Sequence, residues 1–353
     1  MKTKKTSSFY ITLALILCAV YIIFAIKPLG FEYQLTPGWK IDVTNPTISE
    51  PEENERLLHF KLGQSIGYFT EDGKVTNFIS YPYKSSISKE YYTFYSANSS
   101  AASFYLPSGK KSGTINISGF PMIQDDRIYV FLPGGSSFVQ CSEDGTKAWE
   151  YSGTVPITAF DSSEYGCIAG FADGSVCEFA SDGTIIQRFS PGGSEFPVIL
   201  GAAISSNASL VAVVCGQNKQ RFVLAKNDGV NAKIIFHEFL DSSDPYQKLV
   251  RFYNNDGTVI YNSGNLLGFV ETKTGKSAHL EIKGQALNVQ ESGDCIFILA
   301  KDGGTYTVYM VEKLATLIGT FSFEAKTAFI QTDGNKLYVG KDSTISQLVL
   351  SKK

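Results

Sequence analysis

The sequence predicts an all-β protein of repeated four-stranded antiparallel sheets behind one apolar N-terminal helix, and three observations carry that expectation. The dipeptide Asp-Gly recurs at Asp72-Gly73, Asp144-Gly145, Asp173-Gly174, Asp182-Gly183, Asp228-Gly229, Asp256-Gly257, Asp302-Gly303 and Asp333-Gly334. Short apolar strands return about every 40 residues, the period of four-stranded propeller blades. Phe9 to Ile26 is an apolar run of 18 residues. Composition agrees: 353 residues with 32 Gly, 43% hydrophobic and 13% aromatic suit a turn-rich β protein with a substantial core.

The N-terminal run is preceded by Lys2, Lys4 and Lys5 and followed by Lys27. At 1.5 Å per residue it reaches about 27 Å, near the lower limit for a membrane span. The lysine excess before it places residues 1–8 in the cytoplasm and the bulk of the chain on the extracytoplasmic, periplasmic side of the inner membrane. An uncleaved single-pass signal anchor over residues 9–26 is the reading; cleaved or lipid-modified forms are the alternatives, because LILC, Leu15 to Cys18, resembles a degenerate lipobox. Against lipidation, Leu17 is too large for that motif and the apolar run continues past Cys18.

Residues 27–56 hold Pro28, Pro37, Pro46 and Pro51 and end in the acidic SEPEENE, Ser49 to Glu55. Proline and like charge favour an extended spacer. Within it, residues 38–43, GWKIDV, alternate like a strand. Propellers commonly hide their last edge by borrowing a strand from the other terminus, and Trp39 to Val43 could complete the final repeat, Thr327 to Leu350.

Over 57–353 the apolar segments SIGYF (from Ser65), YYTFY (Tyr91), RIYVF (Arg127), YGCIAGF (Tyr165), SLVAVVC (Ser209), TVIYN (Thr258), CIFILA (Cys295) and KLYVG (Lys336) read as second strands of eight blades, with seven as the alternative. Asp-Gly supplies the positive φ that hairpin turns need. With Asp173-Gly174 as a two-residue loop, Cys167 would face Ala180 and Cys177 would face Gly170, on opposite sides of the sheet where no disulfide can form.

SEDGTKAWEYSG, Ser142 to Gly153, and GFADGSVCEFASDGT resemble the repeat of PQQ-like β-propellers and, more broadly, WD40-like propeller repeats, in which a turn Gly is followed by a docking Trp. Trp149 fills that place; Gln187, Ile235 and Leu280 stand near it in other repeats. The resemblance implies architecture rather than activity. Quinone enzymes of that family are longer and carry adjacent cysteines, and no Cys-Cys pair occurs here, so no cofactor is expected. Membrane-tethered scaffold members are nearer in size.

Other chemistry finds little support. Without Lys2, Lys4 and Lys5 the chain carries 31 − 3 = 28 basic residues against 34 acidic ones, with no basic stripe for nucleic acid. His59, His237 and His279 are isolated, and no metal site is expected. GQSIG, Gly63 to Gly67, matches a nucleophile elbow, but strand and turn residues follow where that motif needs a helix. The innermost segments VPITAF, PVILGAAI, KLVRFY and QALNV offer mostly apolar side chains plus Lys248 and Arg251.

Binding therefore falls to the long connections SPGGSEFP, Ser190 to Pro197, and FLDSSDPYQK, Phe239 to Lys248. Phe196, Asp241, Asp244 and Tyr246 are the candidate contacts, a polar and aromatic mixture suited to protein recognition, although side-chain-capped turns are the plainer account of the two aspartates. The aromatic stretch from Tyr91 to Tyr105 reads as core between blades. The leading expectation is a non-enzymatic scaffold presenting its rim to envelope or membrane proteins. The alternative is a small-molecule or sugar-handling enzyme or sensor using the central channel.

Overall fold

A computed structural model describes residues 4–25, 32–45, 55–81, 83–96, 98–227 and 231–353, with side chains of the first helix described from Tyr10 to Tyr21. The chain divides into two compact units, Met1–Thr36 with Leu350–Lys353, and Pro37–Val349. In the first, helix α1 (Lys4–Ala25) precedes the start of strand β1 (Tyr33–Asp42). Reciprocal bonds tie the termini, Glu32 N–H to the Lys353 carbonyl at 3.0 Å and Lys353 N–H to the Glu32 carbonyl at 2.9 Å. Among the described residues no helix is long and apolar enough to cross a membrane. The anchor expected over residues 9–26 is therefore not supported by the structure.

The second unit is an eight-bladed β-propeller. Blade 1 contains β2 (Leu57–Leu62), β3 (Ser65–Thr70) and β4 (Val75–Ser80). Blade 2 contains β5 (Lys84–Ile87), β6 (Tyr92–Tyr95), β7 (Ala102–Tyr105) and β8 (Lys111–Ile115). Blade 3 contains β9 (Phe120–Gln124), β10 (Arg127–Phe131), β11 (Phe138–Cys141) and β12 (Lys147–Tyr151). Blade 4 contains β13 (Ile157–Ser163), β14 (Gly166–Phe171), β15 (Val176–Ala180) and β16 (Ile185–Phe189). Blade 5 contains β17 (Ile199–Ile204), β18 (Leu210–Cys215), β19 (Gln220–Asn227) and β20 (Ala232–Leu240). Blade 6 contains β21 (Val250–Tyr253), β22 (Thr258–Ser263), β23 (Leu266–Glu271) and β24 (Ser277–Glu281). Blade 7 contains β25 (Gln285–Ser292), β26 (Cys295–Asp302), β27 (Thr305–Glu312) and β28 (Thr316–Glu324). Blade 8 contains β29 (Ala328–Asp333), β30 (Lys336–Lys341), β31 (Thr344–Lys352) and, outermost, β1. Residues 33–42, expected to be mostly spacer, are thus strand. Residues 49–54 of the acidic run lie outside the described residues.

Blade 1 has three strands among the described residues, and their register shows which three. The β3–β4 pairing slips between Tyr68 and Phe69, as third-to-fourth pairings slip at Glu178/Phe179 and Gln140/Cys141. The Asp-Gly turn that follows is also shared: Gly73 N–H donates to Thr70 and Gly183 N–H to Ala180, both at 3.0 Å. β2, β3 and β4 therefore match the second, third and fourth strands of other blades, and SIGYF is a third strand rather than the second strand expected.

A second correction concerns the turn at Asp173-Gly174. Its loop has three residues, Ala172 to Gly174: Phe171 N–H donates to Ser175 at 2.9 Å and Gly174, at φ +80, donates back to Phe171 at 3.1 Å. The Asp173 carboxylate accepts from the Ser175 hydroxyl at 2.7 Å and N–H at 2.9 Å, which holds it below the usual carboxylate range. The extra loop residue moves the register by one. Cys167 faces Phe179 and Cys177 faces Ala169, so the two cysteines share one sheet face, in a core with Phe171 and Phe179. Both are free thiols.

Both faces of the middle strands are packed between blades, and β14 is buried at all six positions. Here two-sided burial erases the period-2 pattern.

Candidate functional site

The two connections singled out by sequence lie at the end of the propeller where fourth strands lead to the next first strand. Between them sits the β18–β19 turn, and it holds both. On one side Gln217 N–H donates to the Phe196 carbonyl at 3.1 Å and Arg221 Nη1 to the Pro191 carbonyl at 2.9 Å. On the other, Gln220 Nε2 donates to the Asp244 carbonyl at 2.5 Å. Arg221 also lies over the Phe239 ring, 5.7 Å from its centroid.

This bracing leaves three rings in solvent: Phe196 is 57% exposed, Phe239 62% and Tyr246 71%. Asp241 is exposed on the same connection. Asp244 turns inward, accepting from the Ser242 hydroxyl at 2.6 Å and pairing with buried Lys248 at 2.5 Å. Burial raises the Asp244 carboxyl, but the Lys248 and Ser242 hydrogen bonds outweigh it and hold its pKa low. Asp244 is thus a brace for the connection. Phe239 was legible only as the end of a connector; the signal for it was the alternation of β20, where Ile235, His237 and Phe239 share one face.

At the opposite end, the first-to-second-strand turns surround the channel mouth. A cavity of about 870 Å³ opens there, lined by seven carboxylates against Lys89, Arg127 and Arg251. Deep in it Asp161, which the sequence reading passed over, accepts from Gln124 Nε2 at 2.8 Å, Arg251 Nη1 at 3.0 Å and Ile204 N–H at 3.1 Å. The last bond is one of a set. At the same strand position Ser86 accepts from Ile123 N–H at 2.7 Å and Gln290 from Thr332 N–H at 3.3 Å. Each is a latch from one first strand to the backbone of the next. Arg251 occupies that position in blade 6 and reaches past blade 5 to Asp161 instead. Both Asp161 oxygens are engaged, so this carboxylate holds blades together.

The remaining chemical candidates separate in space. Ser65 opens β3, and its hydroxyl lies 3.0 Å from that of Ser80; no helix follows it. His279 meets Glu238 at 2.9 Å, and His59 and His237 lie in other blades. Among the described residues no three metal-ligating side chains come together.

The chain belongs to a β-propeller protein family, whose model matches residues 1–352. It is 26% identical over 359 residues to an uncharacterized protein of Treponema pallidum (strain Nichols), covering 99% of this chain and 95% of that one. Its fold is similar to BamB from Moraxella catarrhalis, a PQQ-like propeller, at TM-score 0.62 and 13% identity over 90% of this chain and 100% of BamB. Sqt1 of Saccharomyces cerevisiae is similar at TM-score 0.60 and 10% identity, covering 91% and 98%. At such identities the likeness is one of fold.

Proposed function

We propose that this protein is a non-enzymatic interaction scaffold that presents Phe196, Phe239 and Tyr246 to a protein partner. The carrying observation is that three large rings stand in solvent on one rim, Phe196 and Tyr246 on braced connections and Phe239 near the end of β20. Exposed aromatics on rigid backbone lose little entropy on binding, which is why such rings dominate protein interfaces. The channel offers a weaker case for catalysis, because its buried carboxylate is already bound on both oxygens. The apolar run of residues 9–26 supports attachment to the cytoplasmic membrane with the propeller on the extracytoplasmic side, where envelope or membrane proteins would be partners. Asp241, at the edge of the rings, would add a polar contact.

The test is photo-crosslinking in cells of full-length protein carrying a photoreactive residue at Phe196 or Tyr246, beside a control at Tyr165, which is 61% exposed at the other mouth. A discrete adduct from the first two positions alone is the expected result. Equal adducts from Tyr165, or none from Phe196 and Tyr246, would overturn the assignment of the rim.

A further inference from the structure

Glu178 of β15 has no exposed surface. Its cross-strand partner on β16 is Gln187, itself 6% exposed. Gln187 Nε2 donates to Glu178 Oε2. The other two oxygens of the pair, Glu178 Oε1 and Gln187 Oε1, are both buried without a partner. Between these two oxygens an ionised carboxylate leaves two acceptors and no donor, and leaving both dry is costly. A proton on Oε1 removes both deficits at once, because the new O–H can donate to Gln187 Oε1. We infer that Glu178 and Gln187 form a cyclic acid–amide pair in which Glu178 is a neutral carboxylic acid in the folded protein.

The surroundings agree. Glu178 lies opposite Ile168 on β14 and in line with Val176, both in a core completed by Ile199, Val211, Val213 and Ala225. Asn227 of β19 is a further side-chain hydrogen-bond partner of the carboxyl, and its effect favours the ionised form. Arg188 on β16 lies over Phe171 on the other sheet face, as does Cys177, and Lys226 of β19 is exposed. The Cys215 thiol lies in the same core, where burial pushes it up to about 11, and Asp161 lies on the same sheet face beyond Ile168. Burial likewise raises the Glu178 carboxyl, against smaller opposing effects of Gln187 and Asn227.

The sign of the linkage follows. A carboxyl whose folded pKa lies above its unfolded value of 4.5 binds more protons folded than unfolded. Its stabilisation is full below 4.5 and is lost as pH rises toward the folded pKa. The junction of β15 and β16 is therefore a proton-dependent latch, strongest in acid.

Glu178→Gln is the informative variant, since two amides can form the same cyclic pair without a proton. Infrared difference spectra of wild type minus E178Q at neutral pH should show a protonated-carboxyl band. Denaturant titrations from about pH 5 to about pH 8 should show the wild-type folding constant falling, relative to E178Q, by up to about tenfold per pH unit within the window. Absence of the band, or parallel pH dependence of the two proteins, would overturn the proposal. Should E178Q fail to fold, isotope-edited spectra of glutamate-labelled wild type decide it: a buried protonated band persisting at neutral pH supports the pair, and its absence refutes it.

Discussion

The ring of Trp39 lies directly over Gly73, where an added β-carbon would meet it at 2.8 Å, and its Nε1 donates to the Glu71 carbonyl at 3.0 Å. Trp149 does the same to Gly183 and the Ser181 carbonyl, at 2.6 and 3.0 Å. Each joins the fourth strand of one blade to the last turn of the next. Trp39 comes from β1, so its contact closes blade 8 onto blade 1, supported by Phe69 and Tyr338 with ring centroids at 6.1 and 5.8 Å.

Replacing Trp39 by alanine should therefore open the closing seam. The ring is half-buried, so the expected loss is about 3 kcal/mol, the low end for deleting a packed aromatic. Trp149→Ala should cost a similar amount, and the two should add, being remote from each other. Gly73→Ala should cost at least as much, since it adds strain at φ +88 to the clash with the ring. Denaturant unfolding of the four variants measures this; a Trp39→Ala cost below about 0.5 kcal/mol would show that the seam does not depend on the ring.

The repeat was legible because Asp-Gly turns and Trp149 are local signals that survive divergence. Trp39 was legible as part of a closing strand but not as a second docking ring, because no Asp-Gly turn precedes it as Asp144-Gly145 precedes Trp149. The Cys167–Cys177 relationship failed on one residue of loop length: Asp-Gly serves two-residue and three-residue hairpins alike, and only the hydrogen bonding of Phe171 with Ser175 distinguishes them. Asp161 was hidden for a different reason. Its role comes from Gln124, Ile204 and Arg251, three residues on three other blades, and no spacing in the chain announces that meeting.

The pair of Asp244 with Lys248 should respond asymmetrically to mutation. The Lys248 side chain is 1% exposed and that of Asp244 34%. Asp244→Ala leaves a buried ammonium without its partner and should cost about 3 kcal/mol; Lys248→Met leaves a carboxylate that still reaches water and Ser242, and should cost less. The lowered pKa of Asp244 adds a pH signature: its contribution is present above the unfolded value of 3.8 and is lost as pH falls below it. Melting curves of wild type and Asp244→Asn should converge as pH falls below 3.8; a constant gap would remove the ion pair from the account.

Phe196→Ser and Tyr246→Ser should leave stability within about 0.5 kcal/mol of wild type, because surface side chains away from structural features contribute little. Phe239→Ser should cost slightly more, through loss of the Arg221 contact, worth about 0.5–1 kcal/mol at exposed sites. If the rim is the interface, these variants should instead abolish partner crosslinking. Variants that unfold would show that the rings belong to the fold.

The cysteines give the last expectation. Cys141, Cys167, Cys177, Cys215 and Cys295 are all buried, and burial pushes the thiols of Cys141, Cys177, Cys215 and Cys295 up to about 11 and that of Cys167 further. The thiolate is the reactive form, so native protein at about pH 8 should resist alkylation at all five positions on two counts, access and ionisation. Cys18 is exposed in the isolated chain and should react wherever α1 is not covered by membrane or detergent. Intact-mass analysis without reductant should then show one added label in the native state and six after denaturation, since 1 + 5 = 6 free thiols are present. Four labels after denaturation would mean that Cys167 and Cys177, now placed on one sheet face, had been oxidised to a disulfide. Rapid native labelling of Cys215 in particular would mean that the blade 4–blade 5 core opens in solution, and that the Glu178–Gln187 latch within it is not closed.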